Sequence, residues 1–152
     1  MEGLRIGWRY LGGTAALRIT SFREVLVTAL VDTSVLIDYL RGHQDAAELL
    51  ERERATAPLH ASEITRLEIL SGMRSNEEEA TRALLSTLIW HSLDAEVAEK
   101  AGELGRQWLP SHQNIDAADL AIAATTVLYA GLRLLTCNVR HFPMFDDLRM
   151  PY

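Results

Sequence analysis

From Ala117 to Ala130 the chain reads Ala-Ala-Asp-Leu-Ala-Ile-Ala-Ala-Thr-Thr-Val-Leu-Tyr-Ala, with Asp119 its one charged residue. A helix apolar on every side has no face to offer water, so it must lie against the centre of a domain. Asp116 or Asp119 is placed to begin that helix, and Gly131 to end it. Whatever fold the chain adopts has to be built against this segment.

The rest of the chain alternates between two periods. Val27-Thr28-Ala29-Leu30-Val31 has the short, β-branched, apolar pattern of a buried strand, and it stops at Asp32. Val35, Leu36, Tyr39 and Leu40 then mark a helical face ending near Gly42, and a second helix is expected over 44–54. A short strand at 57–61 leads to a helix capped by Ser62 and running to about Met73, with Ile64, Leu67, Ile69 and Leu70 turned inward. Asn76 is expected to cap the next helix, with acids 77–79 at its positive end and Leu84, Leu85 and Leu88 as its buried stripe. A brief strand at 90–93, a helix from Asp94 to about Leu109, a core strand at 134–137 and a short final strand at 148–151 complete the pattern. Strands alternating with helices predict an α/β fold with a central, mainly parallel sheet.

A chain of 152 residues is enough for one domain with a proper core. We place that domain at 25–152. Residues 1–24 read as an N-terminal extension, because Gly3, Gly7, Gly12 and Gly13 interrupt any helical period; a flexible tail, a translation-start artefact and an extra arm are the alternatives. Cys137 is the sole cysteine, which permits no internal disulfide and points to a reducing, cytoplasmic setting. No apolar run approaches the length of a bilayer span. The formal charge is −6, and since 1–24 carry four arginines against two glutamates, the remainder carries −8. Such a domain does not grip nucleic acid through overall positive charge. It can still handle phosphates through a bound divalent metal and a few placed arginines.

Three acids stand where surface charge is not expected. Asp32 ends a core strand, at the position where open α/β sheets place their ligands. Glu68 lies between Leu67 and Ile69, and Asp119 leads into the apolar helix. Each has a structural alternative: Asp32 and Asp119 as helix caps, and Glu68 as an ion-pair partner of Arg66 or Arg74. If the fold brings them together, they raise one another's pKa unless a cation neutralises them. All-oxygen ligation favours Mg²⁺ or Mn²⁺. Such an ion polarises a phosphodiester oxygen and lowers the pKa of a bound water.

These residues sit in four motifs that resemble those of PIN-domain ribonucleases, and of VapC-type toxins of type II toxin–antitoxin systems in particular. Asp32-Thr33-Ser34-Val35-Leu36-Ile37-Asp38 is similar to the first. Glu68-Ile69-Leu70-Ser71-Gly72 is similar to the second, a Glu followed four residues later by Gly. Asp119-Leu120-Ala121-Ile122-Ala123-Ala124-Thr125 resembles the third, and Thr136-Cys137-Asn138-Val139-Arg140-His141-Phe142 the fourth. The likeness covers about Thr28 to Tyr152.

The resemblance implies a PIN-like three-layer α/β/α sandwich and a Mg²⁺-dependent endoribonuclease toxin that cleaves tRNA, rRNA or another structured RNA and inhibits translation and growth. Asp32, Glu68, Asp119 and Asn138 become the catalytic set, with Asp32, Glu68 and Asp119 as metal ligands. Asn138 takes a position that is Asp in some members and adds no charge, so Asp116 is a candidate substitute ligand, with a capping role as its alternative. Ser34 and Arg140 are candidate substrate contacts; Thr33 could bond Asp32, and His141 could touch RNA beside Arg140. The family often has Arg where Cys137 stands, which removes one phosphate contact. The implied partners are an RNA substrate, a VapB-type antitoxin with a basic arm, and a second copy of the chain in a homodimer. A PIN-like RNA- or protein-binding module without catalysis is the alternative. A haloacid-dehalogenase phosphatase would need a second Asp where Ser34 stands, and a receiver domain would need a late Lys that this chain lacks.

Overall fold

The computed structural model describes residues 5–6, 19–20 and 27–152. Arg5–Ile6 (β1) and Ile19–Thr20 (β2) pair antiparallel; the remainder of the expected extension over 1–24 lies outside the described residues. From Thr28 onward the order is β3 (Thr28–Val31), α1 (Thr33–Leu40), α2 (Gln44–Arg54), β4 (His60–Ser62), α3 (Glu63–Gly72), α4 (Glu78–Leu85), β5 (Ile89–His91), α5 (Ala95–Trp108), α6 (Ala117–Leu128) and β6 (Leu132–Leu135).

The four strands β5-β4-β3-β6 form one all-parallel sheet. Alternation along β3 sends Ala29 and Val31 to one face and Leu30 to the other. The first face packs on Val35 and Leu36 of α1, Leu49 and Leu50 of α2, and Leu84 and Leu85 of α4. The second packs on Val97 and Leu104 of α5 and on Ile122, Ala123 and Ala124 of α6. Helices on both faces of a parallel sheet make the three-layer α/β/α sandwich expected from the sequence. The apolar helix is buried as its composition requires, and Gly105 of α5 brings it close: a β-carbon there would stand 3.2 Å from Leu120 Cδ1.

Several local expectations need correction. The strand expected at 57–61 is β4 at His60–Ser62, because the turn ending α2 still holds the Ala57 N–H on the Glu53 carbonyl and Pro58 has no N–H to give. Leu67 is 58% exposed, since α3 buries the line through Thr65 and Ile69 and Leu67 falls midway between them, on the far side of the helix. Asn76 caps nothing: it lies in a 3₁₀ turn, Ser75–Glu77, closed by the Glu77 carboxylate accepting the Arg74 N–H at 2.9 Å. The expected strand at 134–137 is β6 at Leu132–Leu135, since the ladder with β3 ends where the Asp32 N–H donates to the Leu135 carbonyl. No strand forms at 148–151. The Leu148 N–H is spent on the Phe145 carbonyl and Pro151 has none to give, which removes two of the donors a ladder could use. The helix ends at Leu128, and Gly131, at φ +86, makes the turn into β6 two residues beyond the Tyr129 cap.

At the sheet edge the Nδ1 of His60 and the Nε2 of His91 meet at 2.7 Å across β4 and β5. Burial lowers both pKa values, and in His91 the His60 charge adds to it. Burial thus favours the neutral form of the pair, in which one ring donates and the other accepts. Both therefore stabilise the fold above the ordinary histidine pKa and lose that contribution as pH falls through their lowered values.

Candidate active site

The carboxyl ends of β3 and β6 open onto the amino ends of α1 and α6, and the acids gather there. Asp32 occupies the N-cap position of α1, yet its side chain makes no capping bond. It is 3% exposed, and its Oδ2 accepts hydrogen bonds from the hydroxyls of Ser34 and Thr136, each at 2.7 Å. Those hydroxyls are themselves fixed: the Cys137 N–H donates to Ser34 Oγ and the Asn138 N–H to Thr136 Oγ1. A residue that could have been a cap is instead a buried carboxylate held by a network spanning both ends of the domain sequence.

Glu68 reaches the same region from α3, where the Thr33 hydroxyl donates to its Oε2 at 2.5 Å. Neither Arg66 nor Arg74 pairs with it; Arg66 binds Glu63 and lies over the Trp90 ring. Burial raises the Glu68 pKa, against the Thr33 bond, and the charges of Asp32 and Asp116 raise it further.

Asp116 and Asp119 close the first turn of α6 as a reciprocal capping box: Asp116 Oδ1 accepts the Asp119 N–H at 2.8 Å, and Asp119 Oδ2 accepts the Asp116 N–H at 3.0 Å. Asp119 Oδ2 also meets His141 Nδ1 at 3.0 Å. Only 8% exposed, Asp119 has its pKa raised from the usual carboxylate range to about 6. Burial is the main cause; the Asp116 and Asp32 charges add to it, while the Asp116 N–H and His141 oppose it.

The structure thus brings Asp32, Glu68, Asp116 and Asp119 within electrostatic reach of one another. Among the described residues none of the four forms an ion pair with Arg or Lys. Nor do any three acidic, His or Cys side chains close into a ready-made cage. The donor set is all carboxylate oxygen, with His141 against Asp119 as the basic side chain in contact among the described residues. That chemistry suits a hard cation that keeps several of its waters and takes only one or two protein carboxylates. Asn138 is exposed at the rim, and its side chain makes no hydrogen bond among the described residues. Arg140 is exposed in the 3₁₀ turn Val139–His141 that Asn138 begins, its carbonyl accepting from the Asn114 amide at 3.0 Å. The His141–Asp119 contact and the Thr33 and Thr136 anchors have no sequence signal beyond lying in the first and fourth motifs.

Comparison with known proteins places this arrangement. The model of the PIN domain family matches residues 29–147. The chain belongs to the PIN-domain family. It is 43% identical to Ribonuclease VapC19 of Mycobacterium tuberculosis over 124 residues, 81% of this chain and 98% of that one. Ribonuclease VapC10 of the same organism is 37% identical over 123 residues, 81% of this chain and 92% of its relative. Among solved structures, a toxin–antitoxin complex from Klebsiella pneumoniae matches with a TM-score of 0.69 and 31% identity, over 82% of this chain and 98% of that one. The motif likeness read from the sequence is therefore membership, and within the PIN family this chain stands among the VapC-type proteins. No helix among the described residues is long and apolar enough to cross a membrane.

Proposed function

We propose that this PIN-domain protein is a Mg²⁺-dependent endoribonuclease, the toxin of a VapBC-type pair, which cleaves tRNA, rRNA or another structured RNA and so arrests translation and growth. The observation that carries the reading is the convergence of Asp32, Glu68 and Asp119 from three elements, with burial and mutual repulsion met by no Arg or Lys among the described residues. A divalent ion held there supplies Lewis-acid polarisation of a phosphodiester oxygen and a water of lowered pKa; Mg²⁺ fits the oxygen donors, as does Mn²⁺.

The chain's own residues do the positioning. Ser34 and Thr136 fix Asp32 Oδ2, and the Oδ1 oxygen makes no hydrogen bond among the described residues. Thr33 holds Glu68, while His141 and the Asp116 N–H hold Asp119. Asp116 spends Oδ1 on its cap and adds charge to the site, in the place of the acid that Asn138 lacks. Asn138 at the rim orients water or substrate. Ser34 acts on the substrate through Asp32, and Arg140 takes an RNA phosphate.

The partner that fits is a small VapB-type antitoxin whose basic arm neutralises the acids, which the −8 carried beyond residue 24 favours. Supporting this, the Klebsiella structure is a toxin–antitoxin complex. We further assign the protein to the cytoplasm, as a homodimer, with residues 1–24 outside the catalytic domain. Mapping new RNA 5′ ends in cells after induction tests the activity and finds the substrate. Growth arrest with discrete new ends is expected, and neither appearing would sink the proposal.

Metal binding has its own readout. Mg²⁺ should raise the melting temperature, with about 2.7 kcal/mol gained at a hundred times its dissociation constant. The gain should be larger at pH 7.5 than at pH 5. A raised carboxyl pKa means that the metal-free native state binds more protons than the unfolded chain between about 4 and 6 and loses stability as pH rises through that window. Above it the metal relieves a repulsion that a proton relieves below. The His60–His91 pair works in the opposite direction but alike with and without Mg²⁺, so the difference between the two melting curves isolates the acids. A Mg²⁺ effect equal at both pH values would count against the assignment.

A further inference from the structure

Beside the acids a groove of about 670 Å³ runs between the loop after α5 and the turn after β6, lined by His112, Asn114, Val139, Arg140, His141 and Pro143. Its volume is that of a small-ligand pocket, enough for one nucleotide. No acidic residue lines it, in a domain that is otherwise strongly acidic. By contrast, the cleft of about 740 Å³ between α2, β6 and the segment from Met144 to Pro151 sets the acids Glu53, Asp146 and Asp147 against Arg52, Arg133 and Arg149, and Arg133 is already paired with Glu53. Of the two, only the first sets an arginine, Arg140, in a lining without a carboxylate.

The groove also has preset walls. The Asn114 amide donates to the Arg140 carbonyl, tying one wall to the other. The His112 ring meets Trp108 edge-on, with centroids 5.5 Å apart, and its Nδ1 is engaged by Ser111 Oγ at 2.9 Å and the Trp108 carbonyl at 3.3 Å. An aromatic ring fixed in this way is a platform on which an unstacked base can lie, as in single-strand RNA recognition. His141 belongs both to the groove and to Asp119, so whatever lies in the groove is continuous with the carboxylates.

We propose that this groove is the RNA subsite adjoining the scissile phosphate: the Arg140 guanidinium takes the neighbouring phosphate and the His112 ring stacks on that nucleotide's base. The proposal rests on the ribonuclease reading above and adds to it where the strand runs and which residues hold it. Asn114, whose carbonyl oxygen makes no hydrogen bond among the described residues, supplies an acceptor for a base amino group and so a source of sequence preference.

The test measures binding of a labelled, unstructured single-stranded RNA by the full chain with Mg²⁺ present, in the Asp32→Asn background to prevent cleavage. Arg140→Ala should lower the slope of log K against log salt by about one phosphate contact. His112→Ala should weaken binding about fivefold or more, and His112→Phe, which keeps a ring to stack on, should restore it. Arg82→Ala removes an exposed arginine on α4, paired with Glu78, and serves as the control that should change neither. If the wild type cleaves RNA while Arg140→Ala and His112→Ala bind as tightly as their parent, the groove is not the subsite. If RNA binding is unchanged but a co-expressed antitoxin no longer co-purifies, the groove belongs to the protein partner and the proposal is overturned. A wild type that neither binds nor cleaves RNA removes the ribonuclease reading itself, a result distinct from both.

Discussion

Asp32→Asn should lower RNA cleavage by about 100-fold or more while leaving the fold intact. Losing a mere outer-shell partner of a metal costs about 10–100-fold, and here a ligand charge itself is removed. The substitution keeps the shape of the side chain and an oxygen able to accept from Ser34 and Thr136, so the network at the end of β3 survives. It also removes one of several repelling charges, since Asp32 raises the pKa of both Glu68 and Asp119. The metal-free variant should therefore melt no lower than the wild type, and its gain on adding Mg²⁺ should shrink. Activity and stability move apart, which separates a lost site from a lost fold. Growth arrest by the variant equal to that by the wild type would refute the role given to Asp32.

The largest loss of stability should follow Phe142→Ala. Phe142 is 1% exposed and packs with Leu30, Ile122 and Leu134 between the sheet and α6. Truncating so large a buried ring costs about 3–5 kcal/mol, a melting-temperature fall on the order of 10 °C for a domain of this size. Its N–H also closes the turn on the Val139 carbonyl that presents Arg140 and His141. Cleavage should fall even at temperatures where the variant is folded. Phe145→Ala, at a partly buried ring in the same cluster, is the milder comparison. Chemical denaturation giving a loss under about 1 kcal/mol for Phe142→Ala would contradict the packing described.

Elements whose pattern is local are legible in the sequence. The apolar run fixes α6 and its burial, the strand ending at Asp32 is β3, and Gln44–Arg54 is the helix expected over 44–54. Features set by distant partners are not. Where β6 begins depends on its register with β3, and the side of α3 facing water depends on α6 and the sheet, which is why Leu67 is misread. The candidate site shows the same division. The motifs mark Asp32, Glu68 and Asp119, and Asp116 proves to be the cap. But the Thr136 hydroxyl on Asp32, the Thr33 hydroxyl on Glu68 and the imidazole against Asp119 come from pairings 22 to 104 residues apart. No periodicity can report these.

That last separation has a consequence in time. The Thr136 hydroxyl that steadies Asp32 is made 104 residues after it. At a synthesis rate of about 5–20 residues per second, that is a delay of roughly 5–20 s. Until β6 and the turn behind it leave the ribosome, Asp32 has only the Ser34 hydroxyl to hold it and the sheet lacks its flanking strand. A ribosome-bound chain therefore lacks the complete setting of Asp32. On the function proposed above, the interval gives an antitoxin already in the cell time to reach the chain before its site is complete.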